Sequence, residues 1–381
     1  MSFLSTSFRV LWSKVLPIFV LIIAIFVGWL LTQEQPAGVL FATVFPLMNG
    51  HLPPTIVGHG IMTGTPEVPR DMLPQPRPEH EMFLELPGGY KMPQAGLGMC
   101  CRYSAYDDVL VRRTVLWYLL LGGRHIDAAH LYLNHHAIGL GIKDAIARGI
   151  PRDEIFVTTK IFPSHYGYNL TLATIPKFLD ELQLEYIDLL LMHSPVTVPL
   201  MGGDCGKKGL SQKDCRAETY KALTQLRDTR IVRNVGVSNF AVHHLKEIQA
   251  LALAPIAVNQ FQFNPWAPEF AQETYEYCQS HNISVTAYAS LGGSLQHSQA
   301  ATVDTLHALA KKHDKSLPQI MLRWALQSKA AVIPGTGNPE HMKENLDVYT
   351  FELDQEDMEA IDKLKSDEGA KKFFYMPPPS E

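Results

Sequence analysis

The chain has 381 residues, 46% of them apolar, which is enough to form a hydrophobic core in one large domain or two. Its net charge of −5, with no cluster of Lys or Arg, excludes the basic surface typical of nucleic-acid-binding proteins. Five cysteines are too few for a disulfide-rich scaffold. Cys100 and Cys101 are predicted as small core residues, and the sequence leaves open whether Cys205 and Cys215 pair.

The amino-terminal segment contains an apolar run without charged residues, from Val15 to Leu31. A helix of this length spans about 25 Å, which is short for a bilayer of roughly 30 Å, but a start at residue 10 with Lys14 snorkelling makes up the difference. We therefore predict that residues 1–31 are a membrane anchor whose single transmembrane helix contacts the lipid bilayer through residues 10–31. A cleaved signal peptide and an organellar presequence are the alternatives.

The basic residues around this segment predict its orientation. Arg9 and Lys14 precede the apolar run, and no Lys or Arg follows until Arg70. By the positive-inside tendency, the amino terminus is cytosolic and the rest of the chain is lumenal or extracytosolic. The expectation is a single-pass membrane protein, with the cytosolic face as the alternative location of the main domain.

The remainder of the chain divides by pattern. Residues 32–81 contain nine prolines and no amphipathic period, which indicates an extended linker. Residues 82–370 begin with a hairpin that turns at Gly88-Gly89, followed by apolar runs that alternate with amphipathic segments. The runs that predict strands are 95–99, 125–129, 155–160, 186–193, 235–238, 256–263, 283–289 and 330–335. Helices are predicted between them, for example over 107–122 and 318–327, and residues 371–381 are predicted as a tail.

This alternation predicts the fold class. Eight strand–helix units over residues 82–370 fit an α/β fold, the closed (β/α)8 TIM barrel, in count and length. A doubly wound open sheet is the alternative, and it is weaker because no G-x-G-x-x-G segment follows the first strand and no P-loop is present. No His or Cys spacing resembles a zinc site, so no metal is predicted.

Four polar residues stand at or just after the ends of predicted strands: Asp127, Tyr132, Lys160 and His193. In a parallel barrel the chemistry lies at the carboxyl ends of the strands, so these side chains are expected to converge. An ammonium about 4 Å from a phenol stabilises the phenolate by roughly 4 kcal/mol, or about three pKa units. Lys160 is therefore expected to make Tyr132 an effective acid, with Asp127 holding Lys160 charged. His193 is expected to orient a carbonyl, which indicates a reductase.

The segments around these four residues resemble the aldo-keto reductase family. GGRHIDAAHLY resembles the family's G-x-R-x-x-D-T-A-x-x-Y segment with Ala128 at the usual Thr, and TTK and LLMHSP resemble its strand-end Lys and His segments. The resemblance covers about residues 82–370. It implies that the four residues form the family's catalytic tetrad, with Tyr132 as general acid and His193 orienting the carbonyl.

The resemblance also places a nicotinamide cofactor. GVSNF, VNQFQFNP and AYASLG match the family's segments for this cofactor. By that match, the carboxamide is held by Ser238, Asn239 and Gln260, the ring stacks on Tyr288, and Ser290 stands next to the pyrophosphate.

The 2′-phosphate end departs from the family pattern. The chain reads IPGTGNPEHMKEN where the family usually has I-P-K-S/T and then P-E-R, so Gly335 and His341 replace two cations. Thr336, Asn338 and His341 remain to hold the phosphate, and Glu344 and Asn345 match the adenine-contacting pair. NADP(H) is expected ahead of NAD(H), and NADH use remains an option.

The substrate pocket departs as well. It is predicted to be lined by Cys100, Leu131, Phe162 and Ser194. Cys100 stands at a position where the family often has Trp, and Ser194 follows His193 where Trp is also frequent. The pocket is therefore expected to be wider and less aromatic than in aldose-type reductases.

Together these features predict an NAD(P)H-dependent carbonyl reductase, an alcohol:NAD(P)+ oxidoreductase that acts on a small-molecule carbonyl substrate. The alternative is a non-catalytic, nicotinamide-binding regulatory subunit of a membrane complex. The complete set of four polar residues favours the enzyme.

Overall fold

A computed structural model of the protein describes residues 72–101, 107–196, 204–292 and 299–366. By its contacts the chain divides into two units, residues 1–60 and 61–381, and all described residues belong to the second. The predicted anchor, most of the predicted linker and the predicted tail lie outside the described residues.

Eight parallel strands form the centre of the fold and pair in chain order from β3 to β10. Two antiparallel strands precede them as a hairpin. The strands are β1 (Phe83–Leu86), β2 (Tyr90–Pro93), β3 (Leu97–Gly98), β4 (His125–Asp127), β5 (Phe156–Ile161), β6 (Ile187–Met192), β7 (Val232–Ser238), β8 (Val258–Gln262), β9 (Ser284–Tyr288) and β10 (Ala330–Val332).

The first and last strands of the sheet meet, which closes it. Ala95 forms a parallel bridge with Val332, and the Gly96 amide donates to the Val332 carbonyl over 2.8 Å. Close approach at this seam requires glycine, because a Cβ at Gly98 would lie 2.4 Å from the carbonyl oxygen of Ile333. The predicted (β/α)8 barrel is therefore confirmed, and the open sheet is excluded.

Helices cover the outside of the barrel, so its strands are buried on both faces, and every residue of β5 and β6 is buried. Asp107 caps the first helix by accepting from the Leu110 amide. The helices are α1 (Asp108–Leu120), α2 (His135–Ala147), α3 (Tyr168–Leu182), α4 (Asp204–Lys207), α5 (Gln212–Asp228), α6 (Val242–Gln249), α7 (Glu269–Ser280), α8 (Asp304–His313), α9 (Leu317–Gln327), α10 (Pro339–Leu346) and α11 (Gln355–Asp362).

The hairpin turns where the sequence predicts it. Gly88 and Gly89 have φ values of +81° and +80°, a left-handed conformation that favours glycine. Leu86 and Met92 of the hairpin belong to one apolar cluster with Phe156, the first residue of β5. The hairpin therefore packs at the amino-terminal end of the barrel and leaves the opposite end for chemistry.

The membrane prediction requires correction. Within the described ranges, no helix is both long enough and apolar enough to cross a bilayer. Residues 10–31, on which the prediction rested, lie outside those ranges. An uncharged run of sequence indicates a span only if it forms a helix that crosses the bilayer, and the residues that the structure describes include no helix of that kind. The predicted single-pass localisation, with its lumenal barrel and bilayer contact, is not retained.

The structure pairs four cysteines. Cys205 and Cys215, whose pairing the sequence left open, form a buried disulfide that joins α4 to α5. Cys100 and Cys101 form a second disulfide; Cys100 is half-buried and Cys101 is exposed, so they are not the core residues that the sequence predicts.

Candidate active site

The four polar residues predicted to converge do lie together at the carboxyl ends of neighbouring strands. Asp127 is the last residue of β4, and Tyr132 ends the short helical turn His130–Tyr132 that follows it. Lys160 is the penultimate residue of β5, and His193 comes directly after β6. Because β4, β5 and β6 are adjacent, consecutive strand ends bring these side chains to one place.

Lys160 is the centre of the group. Its side chain is buried, and its Nζ donates to Asp127 Oδ1 over 2.6 Å, to the Ala128 carbonyl over 2.9 Å and to the Tyr132 hydroxyl over 3.2 Å. Three acceptors match the three N–H groups of an ammonium. Burial lowers the pKa of Lys160, but the charges of Asp127 and Tyr132 outweigh it, so the pKa is raised above its usual value.

The direction of the Lys160–Tyr132 bond matters for chemistry. The Tyr132 oxygen accepts from the ammonium, so the phenolic proton is not used in this bond. A cation held at the phenol oxygen stabilises the phenolate that remains after proton transfer. The arrangement therefore suits a phenol that acts as an acid.

His193 faces the same place as a neutral imidazole. Burial, followed by the charges of Lys160 and His130, lowers its pKa to about 3. Its ring lies edge-on to the rings of Tyr132 and Phe162, with centroids 5.9 and 6.0 Å away. Its Nδ1 is buried without a hydrogen-bond partner among the described residues. A neutral imidazole carries one N–H donor, which is what orienting a carbonyl oxygen requires.

Several residues that the sequence assigns to the nicotinamide form one connected group. Ser238 ends β7, Asn239 follows it and Tyr288 ends β9. Asn239 donates through Nδ2 to the His193 carbonyl over 3.0 Å and to Ser238 Oγ over 3.2 Å, and it accepts from the Tyr288 hydroxyl over 2.8 Å. Asn239 therefore connects Ser238 and Tyr288 to the backbone of His193 through hydrogen bonds. Ser290 lies two residues after β9 and donates to the Ala287 carbonyl.

Gln260 makes a contact that the sequence does not predict. It lies in β8, and its amide Nε2 donates to Asp127 Oδ2 over 2.7 Å. The sequence predicts it only as a carboxamide ligand and misses this contact. No signal in the sequence reports it, because the two residues are 133 positions apart and meet across the barrel.

The residues assigned to the 2′-phosphate and adenine lie on the loop after β10 and on α10. The backbone N–H of Asn338 donates to Thr336 Oγ1 over 3.0 Å. The side-chain Oδ1 of Asn338 accepts from the backbone N–H of Glu340 over 2.9 Å, which caps α10. Lys343 pairs with Glu340 over 2.9 Å, so that cation is partly neutralised. His341 is exposed, whereas Glu344 and Asn345 are half-buried on α10.

The predicted pocket residues lie around this end of the barrel. Cys100 follows β3, Leu131 is half-buried next to Tyr132, and Phe162 follows β5. The backbone of Ser194 is held by Tyr166, whose hydroxyl donates to the Ser194 carbonyl over 2.7 Å. Phe162 supplies an aromatic wall beside His193, and the wider pocket stays a prediction.

In the part of the chain that the structure describes, no group of three or more His, Cys, Asp or Glu side chains is arranged to hold a metal ion.

Comparisons with known proteins agree with this architecture. The model of the aldo/keto reductase family matches residues 96–366. A 9,11-endoperoxide prostaglandin H2 reductase of Trypanosoma cruzi is 38% identical over 74% of this chain and 92% of its own length. A glyoxal reductase of Bacillus subtilis is 35% identical over 75% and 93%.

Solved structures give the same assignment. A Bombyx mori aldo-keto reductase in complex with NADP superposes with a TM-score of 0.68 at 29% identity, covering 76% of this chain and 95% of that one. An aldo-keto reductase from a deep-sea metagenome library of the Medee basin has a TM-score of 0.65 at 35% identity, covering 77% and 97%. The chain belongs to the aldo/keto reductase family.

Proposed function

We propose that this protein reduces an aldehyde or ketone to an alcohol, using NAD(P)H as reductant and Tyr132 as general acid. The observation that carries the proposal is the buried Lys160 ammonium, whose third N–H group is directed at the Tyr132 oxygen over 3.2 Å. The assignment of catalytic roles to Asp127, Tyr132, Lys160 and His193 is part of this proposal.

The side chains at the ends of β7, β8 and β9 have the chemistry to hold a nicotinamide. Ser238, Asn239 and Gln260 offer a hydroxyl and two amides, which complement the donor and acceptor of a carboxamide. Tyr288 offers an aromatic ring on the same side as Asn239, to which it is hydrogen-bonded. When bound there, NAD(P)H supplies the hydride.

The proton follows a separate route. As a carbonyl oxygen gains negative charge, Tyr132 donates its phenolic proton to that oxygen, and Lys160 stabilises the phenolate left behind. Asp127 keeps Lys160 charged through the 2.6 Å ion pair. Neutral His193 donates its single N–H to the same oxygen and fixes the approach of the carbonyl.

For the cofactor, NADP(H) is proposed ahead of NAD(H). Membership of the family and the NADP complex of the Bombyx mori relative support this preference. The absence of Lys and Arg at positions 335 and 341 argues for weaker phosphate recognition than the family pattern gives. Thr336, Asn338 and His341 are the side chains proposed to hold the phosphate, with Glu344 and Asn345 at the adenine.

The substrate is proposed to be a small-molecule carbonyl compound, with its size left to the assay. The name of the Bacillus subtilis relative makes glyoxal a reasonable first member of a substrate panel. The panel should pair small aldehydes with bulky ones, because equal turnover of both supports a wide pocket and strict selectivity for small ones contradicts it. Each substrate should be assayed with NADPH and with NADH.

The decisive variant is Tyr132→Phe, which removes the proposed acid and keeps the ring. We expect aldehyde reduction to fall by about 10²- to 10⁴-fold, the usual contribution of general acid catalysis. Quenching of protein fluorescence by NADPH should be preserved. The matched control is Tyr168→Phe, which deletes a surface hydroxyl bonded to Gln225.

Two results would contradict the proposal. Unchanged turnover in Tyr132→Phe would show that another group supplies the proton. Tight cofactor binding without reduction of any carbonyl by the wild-type protein would instead favour a non-catalytic binding module.

A further inference from the structure

We propose that Gln260 is a positioning residue that holds the Asp127 carboxylate through its second oxygen and so links the nicotinamide-binding residues to the Lys160–Tyr132 pair. The inference deepens the proposed function and rests on it. It assigns to Gln260 a role that is separate from contact with a cofactor.

The hydrogen bond is short, buried and spans the barrel. Gln260 Nε2 lies 2.7 Å from Asp127 Oδ2, and the two residues are 2% and 1% exposed. In the strand order, β4 and β8 are separated by β5, β6 and β7, so the bond joins opposite walls. A bond to a buried carboxylate is stronger than one between neutral groups, and few waters compete for it.

Both oxygens of Asp127 are therefore engaged by different partners. Oδ1 accepts from the Lys160 ammonium over 2.6 Å, and Oδ2 accepts from the Gln260 amide. The amide stabilises negative charge on the carboxylate oxygen that is not bonded to Lys160. If the amide is removed, the negative charge of the carboxylate is no longer partly stabilised by Gln260. The carboxylate then offsets more of the positive charge that Lys160 presents to Tyr132. The phenolate is then less stabilised, and Tyr132 holds its proton more tightly.

The amide can serve two partners at once. A glutamine side chain has two N–H hydrogens and one acceptor oxygen, and the bond to Asp127 uses one hydrogen. The second N–H and the oxygen are left over for a carboxamide on the other side. Gln260 thereby stands between the residues proposed to bind nicotinamide and those proposed to move the proton.

A titration of Tyr132 can be followed only if the neighbouring titratable groups gain or lose their protons at other pH values. Burial lowers the pKa values of His125 and His130 to about 4, and that of His193 to about 3. Burial raises the pKa of Tyr288 well above its usual value. These three histidines are therefore already neutral above about pH 6 and Tyr288 keeps its proton, so none of them obscures a titration of Tyr132.

The first test needs neither cofactor nor turnover. Phenolate absorbance of the cofactor-free protein is titrated with alkali, and the same titration of Tyr132→Phe is subtracted to isolate Tyr132. In Gln260→Met, which keeps the length of the side chain but lacks the donor, we expect the Tyr132 titration to move upward by about half a pH unit or more. Gln260→Asn, which withdraws the amide by one methylene, should shift it in the same direction.

The matched control is Ser238→Ala, which lies in the same predicted carboxamide site and whose hydroxyl accepts from Asn239 Nδ2. It should weaken NADPH binding and leave the Tyr132 titration in place. In an Asp127→Asn background, Gln260→Met should cause no further shift, because the carboxylate through which it acts is gone.

The outcomes separate the two proposals. An unmoved Tyr132 titration in folded Gln260→Met and Gln260→Asn, with only cofactor binding weakened as in Ser238→Ala, would overturn the positioning role. Failure of the wild-type protein to reduce any carbonyl with either cofactor would instead overturn the proposed function. The cofactor-free titration would still decide the role of Gln260 in that case.

Discussion

Replacing Lys160 with methionine tests the central ion pair most directly. The substitution keeps an unbranched side chain. It leaves the Asp127 carboxylate, which is 1% exposed, with the hydrogen bond from the Gln260 amide but without its cation. Removing one partner of a buried pair typically costs about 3–5 kcal/mol, since the remaining charge is uncompensated. We expect Lys160→Met to lose that much free energy of unfolding in urea titrations.

The loss of activity has a second, separable cause. At 3.2 Å and an effective dielectric of 20, an ammonium stabilises a phenolate by about 5 kcal/mol. If the carboxylate behind Lys160 offsets half of this, about 2.5 kcal/mol remains, or roughly two powers of ten in rate. Lys160→Met should therefore lower kcat for aldehyde reduction at least a hundredfold under conditions where it is folded.

The double variant Lys160→Met/Asp127→Asn distinguishes stability from chemistry. It removes the unpaired charge, so most of the lost stability should return while the rate stays low. The pKa of Lys160 is raised in the folded protein. The ion pair therefore contributes its full stabilising free energy at pH values below the usual pKa of 10.5, and this contribution is lost as pH rises through the raised pKa. Wild-type stability of the single variant, or near-wild-type turnover of the double variant, would refute this reasoning.

Three further predictions concern other parts of the fold. Burial lowers the pKa of His125 to about 4 in the folded protein, so as pH falls below 6.5 the unfolded chain takes up a proton at this residue before the folded protein does. Wild type should therefore lose about 2 kcal/mol of unfolding free energy through His125 between about pH 7.5 and pH 5. His125→Gln should not show this part of the loss in urea titrations. Gly98→Ala should lower Tm strongly because its Cβ meets the Ile333 carbonyl, whereas Gly89→Ala, with open space but a φ of +80°, should cost only about 1 kcal/mol. His341→Arg should tighten NADPH binding about tenfold and leave NADH binding unchanged, measured by fluorescence quenching.

The approximate positions of the strands could be predicted because most strands contain a short apolar run that is followed by glycine or polar residues. One strand extends well beyond its prediction: the apolar run VGVS predicts residues 235–238 for β7, although the strand begins at Val232. Arg233 and Asn234 interrupt the apolar pattern there, and both side chains bond to Asp188, through its carboxylate and its carbonyl respectively. The local apolar pattern does not predict a strand residue that is polar and whose hydrogen-bond partner lies on a neighbouring strand.

The same limit applies within the candidate site. The contacts among Asp127, Lys160 and Tyr132 follow from the rule that strand ends in a parallel barrel meet at one face. The bond from Gln260 to Asp127 does not, because it depends on which side chains are long enough to cross the interior. Adjacency in the sheet is predictable from strand order, whereas contact across the barrel is not.

Burial of an ion pair does not by itself identify the site, since the barrel contains a second buried carboxylate. Asp188 accepts from Arg152 over 2.8 Å, from Arg233 over 2.9 Å and from the Val157 amide over 3.0 Å. The cations beside Asp188 are guanidiniums, which do not lose protons at any pH where the protein works. Both guanidiniums lie over the face of the Tyr186 ring. Asp127 is instead paired with an ammonium that also donates to a phenol oxygen. What distinguishes the candidate site from the Asp188 cluster is therefore the phenol of Tyr132 beside the cation, where the buried charge changes how readily a proton leaves.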